Sequence, residues 1–241
     1  MARMIGMTAS LILFDIDGTL IDAGGAGRRA MERAFAAVFE VPQLGDTSTV
    51  RFAGMTDHDI LDGLADVAAV DPQRVDARRE RFVAAYLDEL RGEMNKPDRR
   101  RREIPGATRL LQQLRAREGV FLGLVTGNME QGARVKLEPY GLNGFFREGG
   151  FGSDHRDRTV LARLARQKVE RAAGREFVTS NVTLVGDTDR DVTSARANGF
   201  RAVAVDSGWT GRDALRAAGA EAIFDDLSDV GGLLEAFGLS K

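Results

Sequence analysis

Five short apolar runs punctuate the chain, at 10–15, 120–126, 182–186, 201–205 and 221–224, each followed by glycine or turn chemistry. They are too short for helices and rich in β-branched and aromatic residues, the pattern of parallel strands buried on both faces. Between them, apolar positions recur at helical spacing over 107–117, 129–140, 159–173, 189–197, 213–218 and 226–237. Strand and helix in alternation predict an α/β fold, an open parallel sheet covered by helices on both faces to give three layers. The segment 23–95 breaks the alternation. There, 26–39, 57–67 and 72–90 all read as amphipathic helix with no buried strand between them. The expected organisation is a core of 1–22 and 96–241 with an all-helical subdomain, 23–95, inserted into it, and the charged run 96–102 as the return linker.

Composition narrows the chemistry. Of 241 residues, 43% are hydrophobic and 29% charged, as in ordinary folded proteins. The 34 basic and 36 acidic residues leave a net charge of -2, so no global field favours nucleic acid or an anionic membrane, and neither is expected as a partner. The N-terminus carries neither a signal peptide nor a membrane span, which reads as a cytoplasmic protein; separately, a monomer or homodimer is expected. Residues ahead of Met7 read as an alternative start or a disordered extension. With no cysteine, disulfides, thiolate metal sites and a cysteine nucleophile are excluded. The two histidines, His58 and His155, read as surface residues. Hard oxygen-ligand chemistry remains.

In open α/β sheets ligands bind beyond the carboxyl ends of the strands, so the residues that follow each apolar run matter most. After the first come Asp15 and Asp17, after the second Thr126-Gly127-Asn128, and after the third Gly186-Asp187-Thr188-Asp189-Arg190-Asp191. Carboxylates crowded at one sheet edge are costly without a cation, and Mg2+ suits them because it takes oxygen ligands and shares itself with a substrate phosphate. Each motif alone has a plainer reading. Asp-x-Asp-Gly-Thr also suits a strand running into a turn, and Thr, Asn and Asp also suit helix N-termini.

The segments Asp15-Ile16-Asp17-Gly18-Thr19-Leu20, Val125-Thr126-Gly127-Asn128 and Val185-Gly186-Asp187-Thr188-Asp189-Arg190-Asp191, in that order, resemble the haloacid dehalogenase superfamily, and within it the phosphoglycolate-phosphatase-like branch. The resemblance spans nearly the whole chain. It implies a Rossmann-like core, a mobile helical cap, an aspartyl-phosphate intermediate, Mg2+, and a small phosphorylated metabolite as substrate. Carried over, Asp15 is the nucleophile and Asp17 the acid and base; Thr126, Gly127 and Asn128 hold the phosphoryl group. Asp15, Asp17 (through its carbonyl), Asp187 and Asp191 form the metal site, with Asp189 a weaker candidate. The third family motif departs from its usual lysine. Arg158, at a helix start, is assigned its role, with Lys168 as runner-up, and Arg51 in the helical segment is a candidate phosphate or carboxylate contact. Met55 and Thr56 read either as a substrate-facing loop or as an ordinary helix connection, and Trp209 as packing.

The competing readings are a β-phosphoglucomutase-like phosphotransferase, which uses the same aspartate pair, a carbon–halogen hydrolase, which keeps no acid two residues after its nucleophile, and a non-catalytic binding protein. A phosphonate hydrolase needs a cap lysine, and 23–95 contains none. A two-component receiver domain leaves the helical insertion unexplained.

Overall fold

The computed structural model describes residues 9–239; the segment ahead of Met7 lies outside them. Six parallel strands form one sheet in the order β5-β4-β1-β6-β7-β8: β1 Ser10–Phe14, β4 Val120–Thr126, β5 Gly149–Phe151, β6 Val182–Gly186, β7 Arg201–Val205 and β8 Ala222–Phe224. β1 lies between β4 and β6, and all five of its residues are buried. Its side chains alternate across the sheet. Ile12 and Phe14 join a core with α4 (Ala107–Arg115), α5 (Glu130–Leu137) and α9 (Val230–Ala236), while Leu11 and Leu13 join a second core with α6 (Arg158–Ala173), α7 (Asp189–Ala197) and α8 (Arg212–Ala218). The three-layer α/β expectation holds. Among the described residues no helix is long and apolar enough to cross a membrane.

The remaining helices, α1 (Ala26–Phe39), α2 (Asp57–Val67) and α3 (Pro72–Asn95), follow one another without an intervening strand. α1 and α3 pack through an aromatic cluster in which the Phe82 ring of α3 lies 6.5 Å from Phe35 and 6.3 Å from Phe39 of α1. Glu93, buried near the end of α3, accepts from Arg29 (2.6 Å), Arg33 (2.5 Å) and Lys96 (2.6 Å), and these partners, Lys96 foremost, hold its carboxyl down to about 2. Both chain passages between these helices and the sheet run side by side as a two-stranded antiparallel ribbon, β2 (Ile21–Asp22) against β3 (Arg102–Glu103).

The structure departs from the sequence reading in several places. β5, Gly149-Gly150-Phe151, is a sixth strand beyond the five apolar runs, and it pairs with β4. Glycine is a poor strand former, but a Cβ on Gly150 would lie 2.1 Å from the Leu161 carbonyl oxygen, so its absence lets α6 press onto the strand. The helix expected over 226–237 starts at Val230, capped by the Asp229 side chain. The one expected over 129–140 gives way after Leu137 to a 3-10 turn containing Pro139. The 72–90 helix continues to Asn95.

Candidate active site

The chemistry-bearing residues gather at the carboxyl ends of β1, β4 and β6; Asp15, Asp17, Thr126, Gly127, Asn128 and Arg158 line a cavity of about 910 Å³, and Asp187 and Asp191 lie beside Asp15. α1, α2 and the loop 48–55 form its roof, and Trp209, read as packing, stands 63% exposed on its rim. Asp15 directly follows β1, and its backbone N–H donates to the Val185 carbonyl, which extends the strand pairing and fixes where its side chain emerges. Gly18 has φ +86°, and the chain turns there so that the N–H groups of Leu20 and Ile21 return to the Ile16 carbonyl. The turn carries Asp17 to the cavity.

Arg158, the first residue of α6, is buried and reaches under the strand ends. Its guanidinium lies 2.7 Å from Asp15 Oδ1, and its Nε donates to Asp191 Oδ1 at 2.7 Å. Burial works against its charge, but Asp191 and Asp15 outweigh burial and raise it above the ordinary arginine range. Asp191 also closes a capping box with Thr188 at the start of α7, so one carboxylate both orders a helix end and orients the arginine. Lys168, the runner-up, sits away from the site on Asp154, 2.6 Å away.

Asp15, Asp187 and Asp191 bring carboxylate oxygens within 4.8 Å of one another, all three residues buried. Burial pushes the Asp15 carboxyl up to about 7, with Arg158 pulling the other way. Burial, then the charges of Asp15 and Asp191, hold Asp187 well above the usual carboxylate range. Asp187 Oδ2 is buried with no hydrogen-bond partner among the described residues. A Cβ on Gly18 or Gly208 would lie 2.4 or 1.7 Å from that same oxygen, so two backbones without side chains make room for it. An all-oxygen cluster with one orphaned, caged carboxylate oxygen fits a hard divalent cation. The Asp17 carboxylate is outside this cluster; its Oδ2 accepts from Asn128 Nδ2 at 2.8 Å and from Lys136 Nζ at 2.6 Å.

Thr126, at the end of β4, is buried and lines the cavity beside Gly127 and Asn128. Asn128, expected to touch substrate, has its amide engaged within the protein. Nδ2 donates to Asp17 and, at 2.7 Å, to Thr126 Oγ1, and Oδ1 accepts from Lys136 at 2.6 Å. Gly127 is required by the roof, because a Cβ there would lie 2.0 Å from the Met55 carbonyl oxygen. Arg51, read as a ligand contact, sits half-exposed at the cavity edge and pairs with Asp189 at 3.0 Å, which joins roof to floor. Arg156 makes a similar bridge to Asp62 and Asp59 on α2.

Two residues that line the cavity went unread in the sequence. Lys136 falls on the buried side of α5, where a lysine among Ala133 and Leu137 is itself a signal. Asp57, the first residue of α2, looks like any acidic helix start, yet it is buried. Its N–H donates to the Gly127 carbonyl at 2.9 Å and its Oδ2 accepts the Met129 N–H at 2.8 Å, so α2 is stitched to the loop after β4.

Comparison with known proteins agrees with this picture. The family described as haloacid dehalogenase-like hydrolase matches residues 12–205. A phosphoglycolate phosphatase of Rhodospirillum rubrum is 29% identical over 233 residues, 91% of this chain and 88% of that protein. Among solved structures, one from Haemophilus somnus, assigned by prediction as a phosphoglycolate phosphatase, superposes with TM-score 0.73 at 20% identity, over 95% of this chain and 99% of that one. Another from Thermotoga maritima, provisionally assigned as a β-phosphoglucomutase, gives TM-score 0.63 at 19% identity, over 94% and 98%.

Proposed function

Because the chain belongs to the haloacid dehalogenase-like hydrolase family, we propose that it is a Mg2+-dependent phosphatase acting on a small phosphate monoester, phosphoglycolate-like or a sugar phosphate. The observation that carries this reading is the pairing, beneath one cavity, of a buried Asp15 held by Arg158 with a caged, unpartnered Asp187 oxygen. The similarity to phosphoglycolate phosphatases supports the substrate class. Asp15, Asp187 and Asp191, with the Asp17 carbonyl, would hold the Mg2+. When bound, it neutralises clustered carboxylates and draws charge from phosphoryl oxygens.

An oxygen of Asp15 attacks phosphorus as the ester P–O bond breaks, and Asp17 gives its proton to the departing alkoxide. The product alcohol leaves a phosphoryl group on Asp15. Asp17, now a carboxylate, takes a proton from water as that water attacks the same phosphorus, and the bond to Asp15 breaks to release inorganic phosphate. Arg158 keeps Asp15 oriented, while Thr126 Oγ1 and the Gly127 amide hold phosphoryl oxygens. Residues 23–95 act as a cap that opens on the β2–β3 ribbon and shuts through Asp57, Arg51 and Arg156.

Asp17 also decides against carbon–halogen hydrolysis, which has no leaving oxygen to protonate. The test is Asp15→Asn. It should abolish phosphate release from p-nitrophenyl phosphate and from phosphoglycolate and prevent acid-stable 32P labelling of the chain, with the fold intact by circular dichroism. Turnover that survives this change would overturn the reading. Phosphoryl return to the product alcohol, rather than to water, would turn it into a phosphotransferase.

A further inference from the structure

Asp17 has to meet the leaving oxygen and then the attacking water, and its own turn supplies no side chain to hold it there. Among the described residues, both of its side-chain bonds arrive from elsewhere and fall on one oxygen, Oδ2, from Asn128 at 2.8 Å and Lys136 at 2.6 Å. Lys136 stands on the last turn of α5 with its side chain 7% exposed. Its ammonium also donates to Asn128 Oδ1 at 2.6 Å, so Lys136, Asn128 and Asp17 form a closed triangle. Helix packing alone does not require this: an apolar side chain would fill the same place without burying a charge.

The roof closes around the same ammonium. Gly27, at the start of α1, approaches so closely that a Cβ there would lie 3.2 Å from Lys136 Nζ. Asp57 of α2, bonded to the Met129 N–H at the head of α5, acts on Lys136 through space. The cation is therefore enclosed by the sheet-end loop on one side and by the helical segment on the other.

The geometry points to Lys136 as a positioning residue for Asp17. Resting on the phosphatase reading above, it fixes Oδ2 so that the other carboxylate oxygen faces the reacting groups. Its removal leaves Asp15, Arg158 and the acidic cluster untouched but lets the Asp17 carboxylate swing. The damage must then scale with how much the leaving group needs a proton. An alkyl phosphate departs as a strongly basic alkoxide, whereas p-nitrophenolate departs with little help.

The experiment compares kcat/KM of Lys136→Met with wild type on phosphoglycolate and on p-nitrophenyl phosphate. The expected loss is about hundredfold on the alkyl ester, within the range of general-acid catalysis, and at least about tenfold smaller on the aryl ester. Asp17→Asn and the Asp17→Asn, Lys136→Met double variant should differ by less than about twofold, since a residue that acts through Asp17 has nothing left to act on. Lys136→Gln, which keeps an amide N–H donor group without the charge, should fall between Met and wild type, and it carries the same comparison if Lys136→Met fails to fold. Equal losses on the two esters, or full additivity with Asp17→Asn, overturn the assignment. Asp15→Asn separates the two ideas. If it remains active the phosphatase reading fails; if it is dead while Lys136→Met loses both esters alike, only the Lys136 role fails.

Discussion

Replacing Asp57 by asparagine should stabilise the protein at neutral and alkaline pH and do progressively less as pH falls. Burial pushes the Asp57 carboxyl from 3.8 up to about 7, with Lys136 and the Met129 N–H pulling the other way. The folded chain therefore keeps a proton that the unfolded chain releases at lower pH. Stability from this group is fully present below the unfolded value and drains away as pH climbs to the folded one. Roughly three units at about 1.4 kcal/mol each put the full loss at about 4 kcal/mol. Asparagine has no such titration, and its carbonyl oxygen still accepts the Met129 N–H that Asp57 now accepts at 2.8 Å. Urea unfolding of both proteins, with chelator present, at about pH 5 and about pH 8 should show the variant's advantage growing by about 3 kcal/mol between them. Asp15 and Asp187 also titrate, but they are the same in both proteins and cancel in the difference. Parallel pH dependence in variant and wild type would show that burial of Asp57 carries no such penalty, and the closed contact between α2 and α5 would have to be abandoned.

Asp187→Asn should remove an uncompensated buried carboxylate. The metal-free fold becomes more stable, and the thermal shift with Mg2+, about 2.7 kcal/mol or several degrees at about a hundred times Kd in wild type, disappears by scanning fluorimetry. A shift that survives would place the ion elsewhere. Arg158→Ala leaves Asp15 and Asp191 unpaired, so urea unfolding should register a loss of about 3 to 5 kcal/mol together with lost turnover, whereas Lys168→Ala, whose partner is Asp154 outside the site, should change neither appreciably. The reverse order would reassign the basic role. Gly127→Ala drives a methyl into the Met55 carbonyl and should hold the roof off the floor, lowering kcat/KM on the order of a hundredfold by steady-state assay; near-normal kinetics would mean that the closed arrangement is not the working one.

Which of these residues could be read beforehand follows from what fixes their place. Strands β1, β4, β6, β7 and β8 were legible because a parallel strand buried on both faces must be apolar throughout, whatever its neighbours. β5 escaped because two of its three residues are glycines, Gly150 making room for α6 and Gly149 for Leu124 of β4, and β2 and β3 because Asp22, Arg102 and Glu103 pair only where the chain crosses between sheet and helices. Asp15, Thr126 and Asp187 were legible by the same logic as the strands they terminate, since a residue at the end of a buried strand in an open sheet, or one step past it, has one place to go. Arg158 was reachable from its position at a helix start next to that edge. Lys136 and Asp57 had no such anchor. Lys136 is defined by meeting Asp17 and Asn128, contacts that exist only once α5 is packed against the loops after β1 and β4, and Asp57 by meeting Met129, a contact that exists only once α2 has been brought onto the head of α5. Local pattern thus reaches the groups that the backbone of one strand delivers, and stops short of the contacts that arise when helices pack onto the sheet-end loops and onto one another. If the roof sets which leaving group is accepted, specificity sits on the side of the site that local pattern cannot reach, and chains with the same three motifs can differ in substrate without differing in any residue that marks the family.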